Sequence, residues 1–281
     1  MIHPVALAEA HMETRDIDST VPVLTDLLGF EKVGGSKGEA TLKHPNTPWL
    51  LVLHDAGKDA VDKPSAHHTG VRVEHATEVD AAWGYLNAHK DEYGLYGMKE
   101  PQYSHGSYSL HFREPGGNDW EIECYEAVLR KEQGGKRLGG VRSQHWEKPM
   151  DAERFAGRGF VPQAFTHGTL HTDDAKACER FLTEVLGLET HAAYTHVVYL
   201  KHPDTKHFVV CLEGGERNQE GDNFRFTLTV DSQEALEQAH RWLDSSAASL
   251  GVRVSGVSND GQRASFLLRD PDNNCWEIAR R

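Results

Sequence analysis

The sequence predicts an α+β protein assembled from four copies of one βαβββ module, and three observations carry that prediction. LTDLLGFE at residues 24–31 returns as LTEVLGLE at 182–189, and LKHPNT at 42–47 returns as LKHPDT at 200–205, both 158 residues on. REPGGNDWEI at 113–122 is answered by RDPDNNCWEI at 269–278, 156 residues on. A repeat at fixed spacing outranks other local signals, because it decides the architecture. Within each repeat the pattern strand, helix, short strands then starts again, so two repeats hold four modules.

The elements follow in chain order. VALAEAHMET (5–14) and FTHGTLHTD (165–173) read as extended first strands. An amphipathic helix follows each and ends at Gly29 or Gly187. In the second repeat Asp173 or Asp174 caps it, and Phe181, Val185 and Leu188 recur at helical spacing. TPWLLVLHD (47–55) and KHFVVCLEG (206–214) read as strands. HTGVRVEH (68–75) and RFTLTVDS (225–232) open the second module of each repeat, followed by helices over 79–90 and 232–250. The turns EPGGN and DPDNN have hairpin chemistry and lead into the closing strands DWEIECY and CWEIARR. The repeats span 5–126 and 165–281. The stretch 127–164, rich in charge and glycine, is expected to be an exposed linker.

Composition narrows the function. At 281 residues, with 38% hydrophobic and 26% charged residues, the chain suits two globular domains rather than a disordered or fibrous protein. A formal charge of −13, from 30 Lys+Arg against 43 Asp+Glu, repels phosphate backbones, which argues against nucleic-acid partners and anionic membranes. The four cysteines are far apart and form no CxxC pair, so a zinc knuckle is absent and buried thiols in a reducing cytoplasm are expected. The N-terminus lacks a basic leader and no apolar run is long enough to span a bilayer, so a soluble cytoplasmic protein is expected. The 18 histidines are many for such a chain, and histidine is the commonest metal ligand and the usual proton shuttle near neutral pH. The glycine-rich stretches lack GxGxxG spacing, and no GxSxG occurs.

The helix end LTEVLGLE, the turn DPDNNCWEI and the paired βαβββ modules together resemble the vicinal oxygen chelate superfamily. That group includes glyoxalase I, type I extradiol ring-cleaving dioxygenases, fosfomycin-resistance proteins and bleomycin-binding proteins. The resemblance covers both repeats. It implies two domains of paired modules that form cup-shaped mixed sheets around a divalent metal, with ligands from the first strand of each module and the last strand of the second. Carried across residue by residue, the first-strand positions are Glu9, His68, His167 and Arg225, and the closing carboxylates are Glu121 and Glu277. Neither repeat alone gives an orthodox set, since one holds Glu9, His68 and Glu121 and the other His167, Arg225 and Glu277. Some four-module members pair modules across the duplication. That pairing collects His68, Glu121 and His167, the two-imidazole, one-carboxylate triad that suits iron(II) and leaves positions open for substrate and oxygen. The complementary pairing collects Glu9, Arg225 and Glu277 as a self-neutralising ion-pair cluster.

The resemblance further implies an extradiol-type dioxygenase that cleaves a catechol- or hydroquinone-like ring, with Fe2+ as the metal and Mn2+, Zn2+ or Ni2+ as alternatives. Its partners would be a small aromatic substrate and dioxygen, in a homodimer or higher homo-oligomer. In extradiol enzymes a His-Gly pair opens the strand before the carboxylate ligand, and a Tyr about ten residues before that ligand donates to the substrate oxygen. Here His105-Gly106 opens it, the tenth residue back is His111, and Tyr108 lies slightly upstream, so His105, Tyr108 and His111 are the candidate catalytic residues. A His can donate or shuttle a proton as Tyr does, at lower pKa. Two other readings are a glyoxalase-like isomerase or lyase, for which Glu9, His68 and Glu121 could form part of a two-carboxylate set, and a metal-free protein that sequesters an aromatic antibiotic.

Overall fold

A computed structural model describes residues 1–60, 63–64, 67–104, 107–125, 150–214, 221–259, 261 and 263–280, except for the side chain of Ser104. The first module comprises β1 (Ala6–Thr14), α1 (Ile17–Pro22), β2 (Glu31–Gly34), β3 (Glu39–Lys43) and β4 (Leu50–Asp55). The second comprises β5 (His68–Arg72), α2 (Ala76–Tyr93), β6 (Tyr96–Ser104), β7 (Ser107–Arg113) and β8 (Asp119–Cys124). The third comprises β9 (Ala164–Thr172), α3 (Ala175–Glu184), β10 (Glu189–Ala193), β11 (Val197–Lys201) and β12 (Phe208–Glu213). The fourth comprises β13 (Arg225–Val230), α4 (Gln233–Leu250), β14 (Arg253–Val254), β15 (Ser258–Asn259), β16 (Ala264–Arg269) and β17 (Cys275–Arg280).

The strands form two mixed sheets, and each sheet draws on both repeats. One runs β14-β16-β17-β13-β1-β4-β3-β2, with β15 beside β16; the other runs β10-β11-β12-β9-β5-β8-β7-β6. The first therefore joins the first and fourth modules through the antiparallel pair β1–β13. The second joins the second and third modules through the antiparallel pair β5–β9. Inside every module the first strand is parallel to the last.

Local chemistry accounts for the helices. Asp174 caps α3 by accepting from the backbone N–H groups of Lys176 and Ala177, while Asp173 instead takes the Nε2 of His171. The two 18-residue helices, α2 and α4, stop at Gly94 and Gly251, whose φ values of 64° and 69° suit glycine. The first helix departs from expectation. Rather than one amphipathic run to Gly29, α1 stops at Pro22 and continues as a π-helical turn over Val23–Leu27. Proline has no N–H to donate, so the α ladder is interrupted there and re-forms with wider bonding. Among the described residues no helix is long and apolar enough to cross a membrane. Most of the expected linker, residues 127–149, lies outside the described residues.

Alternation sorts each strand between two faces. On β8, Trp120, Ile122 and Cys124 enter the main core, where Val79, Ala82 and Leu86 of α2 also lie. Asp119, Glu121 and Glu123 line the opposite face. The two sheets meet around Trp49, whose indole stacks on Phe165 at 4.7 Å, His207 at 4.9 Å and Phe226 at 5.5 Å. Reciprocal clasps close this junction. His44 Nε2 bonds the carbonyl of Pro162 at 3.2 Å, and His202 Nε2 bonds that of Pro4 at 3.1 Å. Thr47 donates to the Phe165 carbonyl at 2.8 Å, and His207 Nε2 bonds that of Leu7 at 2.7 Å. Each KHP turn thus holds the strand approach of the other sheet. Burial lowers His44 to about 3 and His207 to about 4, which keeps both rings neutral donors to those carbonyls.

Candidate metal centre

One face of the second sheet gathers His68, Glu121 and His167. His68 opens β5, Glu121 sits centrally on β8 and His167 on β9; Gly70 of β5 is in register with both Glu121 and His167. His68 Nε2 lies 3.3 Å and His167 Nε2 3.2 Å from Glu121 Oε2. One donor atom from each of the three lies within 4.8 Å of the others. Two imidazoles and one carboxylate, converging and almost wholly buried, are a donor set that fits a divalent first-row metal. Gly70 makes the set sterically feasible, because a Cβ built at that position would overlap the His167 ring.

A line of hydrogen bonds orients His167. Its Nδ1 faces Thr166 Oγ1 at 3.1 Å and Glu123 Oε1 at 3.5 Å, and Thr166 Oγ1 lies 3.1 Å from the same Glu123 oxygen. Glu123 is paired with the buried Arg72, whose Nε lies 3.1 Å from Oε1. An acceptor beside Nδ1 holds the proton there and leaves the Nε2 lone pair facing the centre. In the metal-free chain, burial opposes protonation of His167, yet the charges and hydrogen bonds of Glu123 and Glu121 outweigh it and raise the group to about 9. Glu121 and Glu123 are correspondingly held below the usual carboxylate range, although burial pushes both upward.

This has a testable consequence. A histidine raised from 6.5 to about 9 by folding contributes stability that is full below pH 6.5 and lost as pH rises through 9. The melting temperature of metal-free protein is expected to fall between those limits. A flat profile there would contradict the network.

Of the candidate catalytic residues, His111 reaches the centre. Its Nε2 is 3.6 Å from Glu121 Oε1, its Nδ1 is 3.1 Å from Asp119 Oδ1, and its ring lies edge-on to His68 at 4.9 Å. Burial opposes its protonation, but Asp119 and Glu121 raise its pKa. Tyr108 is not brought to the centre. Three positions from His111 on the same strand, it falls on the other face, where its hydroxyl donates to Asp80 of α2 at 2.6 Å. That hydrogen bond pushes its pKa up to about 12. His105 lies outside the described residues. His67, neighbour of His68, packs edge-on against Phe224 at 5.9 Å instead. Beside the centre, Phe208 stacks on His167 at 5.2 Å and joins Tyr199 and Val210 in a separate apolar cluster.

The other sheet holds a second cluster built on the same lattice. Thr227 is in register with Glu9 and with Glu277, as Gly70 is with His167 and Glu121. Arg225 opens β13 as His68 opens β5, and its Nε bonds Glu277 Oε2 at 3.0 Å. His11 and Arg263 complete the cluster. His11 Nε2 is 3.0 Å from Glu9 Oε2, and its Nδ1 is 2.9 Å from His54 Nε2. Arg263 donates to both oxygens of Glu9, at 3.0 and 2.7 Å, and its Nη2 stands 3.0 Å from Glu277 Oε2. Burial works to raise Glu9, but His11 and Arg263 hold it down to about 2.

Sequence reasoning missed His11, Asp119, Glu123, Arg72 and Arg263. The first three were within reach, because stepping by two along a strand from Glu9 or Glu121 leads to them on the same face. The pairing of Arg72 and the approach of Arg263 depend on contacts between strands and carry no local signal.

Comparison with known proteins agrees with this architecture. No protein-family model matches the sequence, and no curated protein matches it at a significant level. Among solved structures, a Bacillus subtilis subsp. subtilis str. 168 protein provisionally described as a dioxygenase is similar over 100% of this chain and 86% of its own, with 14% identity and a TM-score of 0.65. Glyoxalase I from Zea mays is similar over 98% of this chain and 92% of its own, with 14% identity and a TM-score of 0.64. These likenesses show the fold, which is the vicinal oxygen chelate fold with two sheets of paired βαβββ modules.

Proposed function

We propose that this chain, with its vicinal oxygen chelate fold, is a metal-dependent enzyme that holds one divalent ion through His68, Glu121 and His167. Its reaction is extradiol-type cleavage of a catechol- or hydroquinone-like aromatic ring by dioxygen, with Fe2+ as the metal. The observation that supports this reading best is the buried two-histidine, one-carboxylate set with a third imidazole beside it. Such a set, when occupied by iron(II), leaves coordination positions for a phenolic oxygen and for dioxygen and lowers the pKa of the bound phenol.

The chain's own residues supply the rest. His111 takes the phenolic proton at Nε2 in this reading, and Asp119 at Nδ1 fixes its tautomer and stabilises the imidazolium that forms. Glu123 and Thr166 keep the Nδ1 proton of His167 in place. Phe208, Tyr199 and Val210 give the wall next to His167 an apolar character suited to an aromatic ring.

The test compares two variants. His167→Ala is expected to lose the metal by more than the roughly 10–100-fold typical of a supporting residue, whereas Glu9→Ala is expected to retain it. Anaerobically purified protein should contain stoichiometric iron and consume oxygen with a catechol or hydroquinone. Equal metal loss in both variants, or a parent protein that binds no metal, overturns the proposed centre. Isomerisation of a thiol–oxoaldehyde adduct without oxygen uptake would favour the glyoxalase-like reaction at the same centre.

A further inference from the structure

We infer that Arg263 is the built-in cation of the second cluster, its guanidinium standing where a divalent ion would otherwise sit among Glu9, His11 and Glu277 and closing that ligand set to metal. The two clusters share one backbone lattice. Glu9 and Glu277 cross at Thr227 as His167 and Glu121 cross at Gly70, while His11, two residues on from Glu9, pairs with Arg225, the counterpart of His68. One donor atom each from Glu9, His11 and Glu277 lies within 4.8 Å of the others, as for His68, Glu121 and His167. What differs is the source of positive charge.

In the first cluster the partners of Glu121 are imidazoles, and two guanidiniums of the same sheet are engaged by other carboxylates: Arg72 by Glu123, and Arg113 by Asp119 at 3.5 Å. In the second, one guanidinium bridges both carboxylates. Arg263 donates through Nη1 and Nη2 to Glu9 and through Nε to Glu277 Oε1 at 3.1 Å. A planar fork with fixed donors satisfies two carboxylates as a metal ion would, and it cannot be deprotonated. Arg225 reaches Glu277 and the Asp222 carbonyl at 2.9 Å, so it neutralises one carboxylate and not the pair. Without Arg263, two largely buried carboxylates and an imidazole would face one guanidinium. Such a charge deficit demands another cation.

The experiment counts bound Co2+ by equilibrium dialysis, with the visible absorption of the ion as a second readout. Arg263→Ala is expected to bind one more Co2+ per chain than the parent protein, and adding Glu277→Ala to it should remove that extra ion. Arg225→Met, in which Arg263 still bridges both carboxylates, should keep the parental count. Placing Arg263→Ala in a His167→Ala background isolates the second cluster, so the result does not depend on whether the first one binds metal. Should Arg263→Ala fail to fold, Arg263→Gln keeps much of the side-chain bulk without the charge and is read in the same way. An unchanged count in folded Arg263→Ala or Arg263→Gln overturns the inference, as does a parental count that falls on Glu277→Ala.

Discussion

Gly70→Ala is expected to abolish metal binding without altering any ligand. The new methyl group would overlap the His167 ring, which has nowhere to retreat because Phe208 stacks on it and Thr166 and Glu123 hold its other nitrogen. Forcing a methylene-sized group into a packed site typically costs about 1–3 kcal/mol. The affinity loss adds to this, since a displaced ring no longer points its lone pair into the centre, and more than about 100-fold is expected. Metal titration of the folded variant checks this. Parental affinity in Gly70→Ala would mean that His167 is not a ligand.

The second large effect concerns the buried pair behind the centre. Arg72 and Glu123 are each 1% exposed, and Arg72 also lies over the Tyr125 ring at 4.5 Å. Glu123→Gln removes the carboxylate that bonds a buried guanidinium and is expected to destabilise the protein by about 3–5 kcal/mol. Arg72→Met combined with Glu123→Gln removes both charges and should recover most of that loss, because a buried pair stabilises little relative to a well-packed apolar substitute. Metal affinity should separate from stability in this series. The double variant is expected to remain about 10–100-fold weaker for metal, because a neutral amide replaces the carboxylate that faces His167 Nδ1. Chemical denaturation and metal titration on the same samples check both halves. A single variant within about 1 kcal/mol of the parent would refute the pairing argument.

How much of this was legible beforehand depends on how local the cause is. The turns at Pro115 and Pro271 and the positive-φ glycines Gly29 and Gly187, which follow the first helical segment of each repeat, are set by residues adjacent in sequence, so the duplication and the module order could be read directly. Glu121, His68 and His167 were reachable by carrying a strand position from module to module. Tyr108 was misplaced because a distance counted along the chain does not determine which face a strand residue occupies; parity with Glu121 does, and it selects His111. The π-helical turn after Pro22 could have been suspected from a proline inside an amphipathic run. Arg263 could not, because it enters its cluster from just before β16, and no periodicity links it to Glu9, 254 positions earlier.

The strand order has a consequence for how the molecule comes apart. Every sheet has its central seam between strands from opposite ends of the duplication, and the KHP turns at His44 and His202 each grip the partner sheet. In connectivity this is an exchanged dimer written into a single polypeptide, in which each repeat donates half of its strands to a body completed by the other. Neither repeat can finish a sheet alone, so neither is an independent folding unit. The loss of one seam strips the other of its clasps, which makes unfolding one event rather than two.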